Sequence, residues 1–442
     1  MEDFMRLITN FLQDHVSPLA QYLTRKPSVS PAEYDAPILL MRRKPAQAKK
    51  FDPDTLSILC PDPTAEDKIR DTHIMRGQFL ARQEMWTELS QEIRAADIAR
   101  ALTPGCMAVS DLLAYGSRSD VVLAAEHALL SGKPDSSAPL LSGIEALEHV
   151  LAEHKSDAII ATIIAQAYMD IAWSWRGNGW DTEVPETNRA AFSAHFDRAR
   201  SIMARISQAD RNLPLVASTF CALLGNSKGT ERRVADLYEK LIDLNPINPR
   251  PMRALGNHLL PRWYGTYQTL ELEARRTAAR TQDTWGAGGY TWVQFDAITC
   301  DDQACANLDI SFFTDGVRDI IERCPEPYTV NLLAAYCANA VGQTYSGNDI
   351  ADMNRARIAD CAAWIVRDHL TELHPMIWAH AARGFDNNLQ IRSPSRFAAA
   401  GREDAQRIIM SMFSKEIANG KRIVFTDNGA VAQSSWPAQA PA

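Results

Sequence analysis

An apolar pattern with the period of an α-helix runs through most of this chain and constrains its fold more than any other feature. From about residue 67 to about residue 421, apolar side chains recur three and four positions apart, and short polar or proline-containing breaks separate the runs. Each such helix buries one stripe of its surface against a neighbour. The sequence therefore predicts an all-α protein, with at least half of its residues in α-helix and no sheet of three or more strands.

Residues 142 to 177 show how these helices are connected. Ser142 and Glu145 have the spacing of a capping box, in which two side chains satisfy backbone amides at the start of a helix. Residues 155–157 interrupt the pattern, and a second apolar run extends to Gly177, a residue type that commonly follows the end of a helix. Two amphipathic helices with so short a connection predict an antiparallel helical hairpin.

The first 66 residues depart from this pattern. Residues 1–17 have apolar side chains at helical spacing, which predicts a terminal helix that packs on the body, binds a partner or lies on a membrane surface. Seven prolines in residues 25–66 prevent a long helix and indicate an extended N-terminal arm. Residues 25–50 contain seven Lys or Arg against two acidic residues, so this segment is either simply solvated or contacts an anionic partner.

The composition excludes several classes of protein. A formal net charge of −8 argues against a protein that coats nucleic acid, which needs a broad basic face. The chain has no long uncharged apolar run and begins with an acidic segment, so we expect neither a membrane-spanning helix nor a signal peptide. The eight cysteines are scattered through a long chain, which favours free thiols in the cytoplasm.

A stretch that begins after Thr230 resembles a tetratricopeptide repeat. Tyr238 falls on the large-residue position of the repeat's second helix, and Pro246 falls on its terminating proline. Leu255 and Gly256 fall on the Leu-Gly pair of the next repeat's first helix. The resemblance implies an irregular α-solenoid of antiparallel helix pairs, which presents a concave surface to its partners.

Two further segments, 175–180 and 260–267, are similar to parts of uncharacterised bacterial helical-repeat proteins. That likeness implies a fold and carries no reaction with it. We therefore expect three parts in this chain. Residues 1–66 form the N-terminal helix and arm, residues 67–421 form the helical-repeat body, and residues 422–442 form a flexible tail without periodicity.

Arg253 and Asn257 are similar to the Lys-x-x-Gly-Asn segment of those tetratricopeptide modules that clamp a peptide's C-terminal carboxylate. The resemblance implies that the arginine binds the carboxylate through a charge-assisted fork, with the asparagine donating beside it. We add Trp263 and Tyr267 to the candidate peptide-binding residues. The clamp requires Arg253 and Asn257 to face an open groove. In the alternative, the arginine is solvated or pairs with a local acid, and the asparagine caps a turn.

Aromatic residues are concentrated in two stretches of the chain. The tryptophans that we call the aromatic belt are Trp173, Trp175, Trp180, Trp285 and Trp292. Aromatic side chains bury large areas and keep a polar edge, so they are enriched both in helix packing and in recognition surfaces. Both interpretations of the belt stay open.

No motif for metal binding or catalysis appears in the sequence. The histidine pairs are five residues apart, whereas two ligands on one face of a helix need a spacing of three or four. The candidate zinc cysteines lack the paired spacing of structural zinc sites, and the glycines near residue 287 lack the context of a phosphate loop. The histidine pairs are His149 with His154 and His369 with His374, and the candidate zinc cysteines are Cys300, Cys305, Cys324 and Cys337.

These observations lead to one function and two alternatives. We expect a cytoplasmic, non-catalytic module that binds a protein or peptide on a concave surface, with no cofactor, no metal and no membrane. The main alternative is an enzyme whose pocket has no sequence motif, and the other is a binder of small molecules or nucleic acid, the latter disfavoured by the acidic net charge. Perturbed carboxylates in a closed pocket would favour the enzyme, and an open apolar groove would favour the binding module.

Overall fold

The computed structural model describes most of the chain between residues 55 and 434. The described residues are 55–129, 142–177, 184–226, 231–342, 345–383, 391 and 393–434. Helix accounts for 74% of them, which confirms the prediction of an all-α protein with at least half of its residues in helix.

Nineteen α-helices follow one another in this part of the chain. The first ten are α1 Ala65–Arg82, α2 Trp86–Ile98, α3 Val109–Ala128, α4 Ser142–Glu153, α5 Ala158–Arg176, α6 Glu186–Met203, α7 Pro214–Ala222, α8 Glu231–Leu244, α9 Arg250–His258 and α10 Tyr267–Arg280. The others are α11 Gln282–Trp285, α12 Gly288–Cys300, α13 Asp302–Ala306, α14 Ile310–Arg323, α15 Pro327–Ala335, α16 Asp349–Asp368, α17 Pro375–Arg383, α18 Pro394–Met412 and α19 Ser414–Ala418. A π-helical turn, Tyr336–Val341, continues α15.

The predicted break between two helices is present between α4 and α5. Asp157 precedes α5, and its carboxylate accepts hydrogen bonds from the backbone amides of Ile159 and Ile160 at 2.8 and 3.1 Å. Gly177 follows α5 with a φ of 65°, a backbone conformation that favours glycine. Local capping chemistry therefore explains why this helix begins and ends where the sequence predicts.

Helix α5 is the one described helix that is long and apolar enough to cross a membrane. However, 72% of its apolar window is buried inside the protein. Burial of this kind is what a core helix requires, so the apolar character of α5 is explained by its packing.

The helices enclose two large hydrophobic clusters. The N-terminal core is formed mainly by residues of α1 to α7, and the C-terminal core by residues of α7 to α19 and the sheet described below. Helix α7 contributes to both, with Leu215 and Val216 in the N-terminal core and Ala217 and Cys221 in the C-terminal core. The boundary between the two cores therefore runs along α7.

Glycines allow two pairs of helices to approach until their backbones touch. Where α1 crosses α3, a Cβ on Gly77 would lie 2.1 Å from a carbonyl oxygen of α3, and a Cβ on Gly116 would lie 2.0 Å from a carbonyl oxygen of α1. Where α9 crosses α12, a Cβ on Gly256 would lie 1.8 Å from the carbonyl oxygen of Val293. A residue with a Cβ cannot occupy these positions unless the helices move apart.

A three-stranded sheet is present, so the prediction that no such sheet exists was wrong. Strand β2, Lys421–Thr426, pairs antiparallel with β3, Gly429–Ser434, and parallel with β1, Leu56–Ser57. Ile423 and Phe425 of β2 are buried, and their neighbours are more exposed, which is the two-residue period of a strand. This alternation is too short to stand out in a sequence dominated by helical periods.

The sheet also changes the predicted boundaries of the N-terminal arm and the C-terminal tail. A flexible tail was predicted for residues 422–442, but residues 422–434 are mostly paired as strands, because β2 buries its apolar face on the C-terminal core. Strand β1, expected within the N-terminal arm, hydrogen-bonds to the same sheet. Residues 435–442 lie outside the described residues, as do residues 1–54 with the predicted terminal helix and the basic segment.

The α1–α3 crossing can be tested by Gly116→Ala. This substitution is expected to lower the free energy of unfolding by about 1–3 kcal/mol, because the added methyl group must displace the backbone of α1. In an uncrowded helix the same change stabilises the protein by about 1 kcal/mol. The sign of the change in unfolding free energy therefore shows whether Gly116 is crowded by α1. Urea denaturation followed by circular dichroism measures the difference.

The matched control is Gly143→Ala in α4. A Cβ at that position would meet side-chain atoms of Val121, the nearest at 3.0 Å, and these atoms can shift more easily than a backbone. The control should therefore lose less stability than the test variant. A Gly116→Ala protein as stable as the wild type would show that the helices do not cross this closely.

Candidate functional site

A cavity lies at the boundary between the N-terminal and C-terminal cores. Its volume is about 150 Å³, and its wall is formed mainly by α3, α5, α7, α8 and α9. That volume corresponds to about ten water molecules. Most of the surface of the wall is apolar, with Met169, Trp173, Leu241 and Pro251 among its residues, and charged and neutral polar side chains line the rest. This composition is typical of sites that bind small molecules.

A buried ion pair between Arg118 and Asp170 forms part of the wall. The Nε atom of Arg118 donates a hydrogen bond of 2.6 Å to the Asp170 carboxylate, and the arginine side chain is only 1% exposed. The guanidinium also lies 5.3 Å from the ring centre of Tyr115, within the range of a cation–π contact. Its Nη1 atom is buried without a hydrogen-bond partner among the described residues. An unsatisfied buried donor is costly, so a ligand oxygen at this atom would be stabilising.

Asp111 of α3 and Arg250 of α9 also line the cavity. Burial raises the pKa of Asp111 to about 6, and the nearby negative charge of Asp97 acts in the same direction. The positive charges of Arg250 and Arg118 oppose this rise only in part. Burial likewise raises the pKa of Asp170, because an ionised carboxylate loses its hydration there. The charge of Asp111, and with it that of the cavity, therefore changes as the pH passes through about 6.

Neutral polar side chains also line the wall, among them Gln166 and His258. Gln166 donates from Nε2 to the Thr219 hydroxyl at 3.0 Å, and its Oε1 atom has no hydrogen-bond partner in the described part of the chain. His258 shares a hydrogen bond of 2.8 Å with the Tyr238 hydroxyl through Nδ1. Burial lowers the pKa of His258 to about 3, so the ring is neutral at neutral pH. The Gln166 oxygen can only accept a hydrogen bond, whereas a ring nitrogen of neutral histidine donates or accepts according to the tautomer.

The predicted carboxylate clamp is not available to a peptide, and this interpretation was wrong. Arg253 forms an ion pair with Asp296 through hydrogen bonds of 2.7 and 2.8 Å, and Asn257 is 1% exposed. The guanidinium also lies over the ring of Phe295, 4.6 Å from its centre. The reason is the close crossing of α9 and α12 at Gly256, which places the carboxylate of α12 against the arginine. An acid of the protein's own chain occupies the position predicted for the peptide.

The other residues from the predicted peptide-binding set and the second aromatic stretch lie in or near the C-terminal core. Trp285 and Trp292 are each 2% exposed and pack edge to face, with ring centres 5.9 Å apart. Trp263 is partly buried beside Tyr264. The Tyr267 hydroxyl donates to the Asp301 carboxylate at 3.2 Å. Helix packing therefore accounts for Trp285 and Trp292.

The first aromatic stretch contributes one residue to the cavity. Trp173 lines it and packs edge-on against Phe192, with ring centres 5.0 Å apart. Trp175 is partly buried against the N-terminal core, and Trp180 lies outside the described residues. Packing explains Trp285 and Trp292, whereas Trp173 has both a packing contact and a place in the cavity wall.

The histidines and cysteines considered for metal binding are dispersed. Among the described residues, no three His, Cys, Asp or Glu side chains are grouped so that they could hold a metal ion. His374 is buried and forms a hydrogen bond of 2.7 Å with Glu372, and His149 is exposed on α4. Cys324 lies 3.7 Å, sulfur to sulfur, from Cys106, which was not part of the proposed set.

Sequence reasoning missed the cavity, although one signal for it was present. Gln166 and Asp170 are one helical turn apart in α5, where apolar residues occupy most other positions. A polar pair on one face of a buried helix needs partners, so it marks a polar site inside the protein. Those partners, Thr219 and Arg118, are distant in the chain and could not be paired with α5 from the sequence.

No family model matches the chain, and neither a curated protein nor a solved structure is significantly similar to it.

The buried carboxyl of Asp111 can be tested through the pH dependence of stability. Its ordinary pKa is 3.8 and its value in the folded protein is about 6, so between these pH values the folded protein holds a proton that the unfolded chain releases. Stability then falls as the pH rises through this window and stays low above it. Asp111→Asn removes this carboxyl group. The unfolding free energy of the variant minus that of the wild type should therefore increase by up to about 3 kcal/mol between pH 4 and pH 7.

Urea denaturation at a series of pH values measures this difference. Asp360→Asn, at an exposed position of α16, is the matched control and should follow the wild-type profile. Parallel profiles for wild type and Asp111→Asn would show that the carboxyl is not held in a buried site.

Proposed function

We propose that this protein binds a small organic acid in the cavity between its two cores. The observation that carries the proposal is the buried Nη1 atom of Arg118, which has no acceptor among the described residues and belongs to a side chain that lines a mostly apolar cavity. A carboxylate oxygen is among the acceptors that a guanidinium binds most strongly. Arg250 adds a second positive charge to the same wall.

The other groups of the wall restrict the ligand further. The Oε1 atom of Gln166 requires an N–H or O–H group from its partner. Trp173 and Leu241 favour a hydrocarbon body. The ligand that fits these groups is a carboxylic acid of about ten non-hydrogen atoms that also carries a hydroxyl or amino group.

Three acids with one carbon skeleton test this assignment. Leucine and 2-hydroxy-4-methylpentanoate carry a donor beside the carboxylate, and 4-methylpentanoate does not. An unpartnered buried oxygen at Gln166 costs about 1–3 kcal/mol, so the best of the two donor-bearing acids should bind about tenfold or more tightly than 4-methylpentanoate in isothermal titration calorimetry. The corresponding alcohol, 4-methylpentanol, lacks the carboxylate and should bind more weakly than all three. Equal affinities across the series would contradict the proposal.

A variant that fills the cavity without removing a charge provides an independent test. Ala254 of α9 lines the cavity, and Ala254→Leu places three additional carbon atoms at its wall. We expect the affinity for the tightest acid of the series to fall at least tenfold, because the added side chain takes up space that the ligand needs. Ala363→Leu on α16, partly buried and away from the cavity wall, should retain wild-type affinity. Thermal melting confirms that both variants are folded.

A second candidate function is an enzyme that uses the same cavity, and Asp111 is the observation that favours it. A carboxyl group with a pKa of about 6 can both accept and donate a proton near neutral pH, as a general acid–base catalyst must. Incubation of the protein with the same acids, followed by proton NMR, detects turnover. Conversion that is lost in Asp111→Asn while binding persists would support catalysis, and recovery of unchanged acids would leave binding as the function.

We also infer that the helix pairs form an irregular α-solenoid similar to tetratricopeptide arrays. Support comes from the consecutive helices α8 and α9, which bury Tyr238 and bring Gly256 to a close helix contact at the positions of the repeat pattern. Binding of a peptide on a concave surface remains a prediction of this arrangement. We do not base the function on it, because Arg253 and Asn257 are engaged within the chain.

A further inference from the structure

Two cysteines from distant parts of the chain meet next to the C-terminal core. Cys106 lies in the loop between α2 and α3, Cys324 directly follows α14, and their Sγ atoms are 3.7 Å apart. All eight cysteines of the chain are free thiols. The bond length of a disulfide is about 2.05 Å, so the two sulfurs need to approach by only about 1.7 Å to form one. We propose that Cys106 and Cys324 form an oxidation-sensitive pair, which a hydroperoxide converts into a disulfide.

The loop that carries Cys106 is held in place by a buried carboxylate. Glu66 of α1 accepts hydrogen bonds from the Thr103 hydroxyl at 2.5 Å and from the Gly105 backbone amide at 2.8 Å. Cys106 has a φ of 61°, a left-handed conformation that residues other than glycine rarely adopt. Such a conformation persists only where surrounding contacts enforce it. The position of the Cys106 sulfur is therefore determined by the packing around the loop.

The surroundings of Cys324 favour its thiolate. Its pKa is lowered because Cys106, the hydroxyl of Thr329 and the backbone amide of Glu326 stabilise the negative sulfur through hydrogen bonds, although burial opposes this effect. The Thr329 oxygen lies 3.4 Å from the sulfur. The same contact raises the pKa of Cys106, which keeps its proton. The thiolate is the reactive form, and the hydrogen bonds from Thr329 and the Glu326 amide fall on Cys324. We therefore assign Cys324 as the sulfur that attacks the peroxide and Cys106 as the one that resolves the product.

Solvent has partial access to both thiols of this pair. Both cysteines are partly exposed, whereas Cys221, Cys305, Cys337 and Cys361 are buried. A second cavity, of about 40 Å³, includes Cys106 in its wall. That space corresponds to about three water molecules, which is enough for hydrogen peroxide.

The reaction proceeds in two balanced steps. The Cys324 thiolate attacks one oxygen of hydrogen peroxide, the O–O bond breaks, and the released hydroxide takes up a proton to become water, which leaves a sulfenic acid on Cys324. The Cys106 thiol then loses its proton, and its sulfur attacks the Cys324 sulfur. The S–O bond breaks, and the second hydroxide leaves as water. Two thiols are oxidised to one disulfide, and one peroxide is reduced to two water molecules.

The test uses the full-length, fully reduced protein and two equivalents of hydrogen peroxide. After the reaction, N-ethylmaleimide blocks the remaining thiols, and peptide mass spectrometry maps every cysteine. We expect a peptide that links Cys106 to Cys324 as the main product, its loss on treatment with dithiothreitol, and at least tenfold less oxidation at each of the other six cysteines. Full alkylation of both residues, or a main product that links another pair, would overturn the proposal.

Variants assign the two roles. In Cys106→Ser, the sulfenic acid on Cys324 has no resolving thiol and should be trapped by dimedone. In Cys324→Ser, dimedone labelling at Cys106 should be at least tenfold slower, and equal rates would overturn the assigned order of attack. Cys60→Ser, a matched change at another partly buried thiol, should form the disulfide at the wild-type rate. Mapping of the wild-type protein requires no substitution, so a variant that fails to fold leaves the main test intact.

Discussion

Contact between helix backbones at glycines fixes the positions of α3 and α9, two of the helices that carry cavity residues. Gly77 and Gly116 place α1 against α3, and Gly256 places α9 against α12, at distances that leave no room for a Cβ atom. The first crossing holds the helix that carries Asp111 and Arg118. The second holds the helix that carries Arg250, and it also brings Asp296 to Arg253. A larger residue at any of these glycines would move charged groups as well as backbones.

Charged side chains are buried where the two cores meet. The ion pair of Arg118 and Asp170 and the carboxyl of Asp111 have lost most of their hydration, which is costly unless other contacts compensate for it. A hydrophobic wall without these groups would pack at least as well. Their presence next to unsatisfied polar atoms is the basis for the ligand that we propose. Arg250 lines both this cavity and the smaller one beside Cys106, so the two proposed sites are neighbours.

The sequence predicted those features that depend on residues close together in the chain. The start and end of α5 follow from Asp157 and Gly177, which act on the backbone within a few residues. The sheet was missed because β1 has two residues, and its pairing with β2 joins segments from opposite ends of the described chain. The clamp failed for a related reason. The spacing of Arg253 and Asn257 describes one face of α9 and says nothing about the helix that covers it.

By itself, the sequence determined that the chain is helical, where several helices begin and end, and which of their faces are apolar, because hydrogen bonding, capping and amphipathic spacing act over one or two turns. Only the tertiary structure decided which polar residues share a site. Asp111, Gln166 and Arg250 meet at one cavity, and the sulfurs of Cys106 and Cys324 lie in contact across 218 positions of sequence. Which distant residues come into contact depends on the distance and angle between packed helices, and these are set by the shapes of many side chains together.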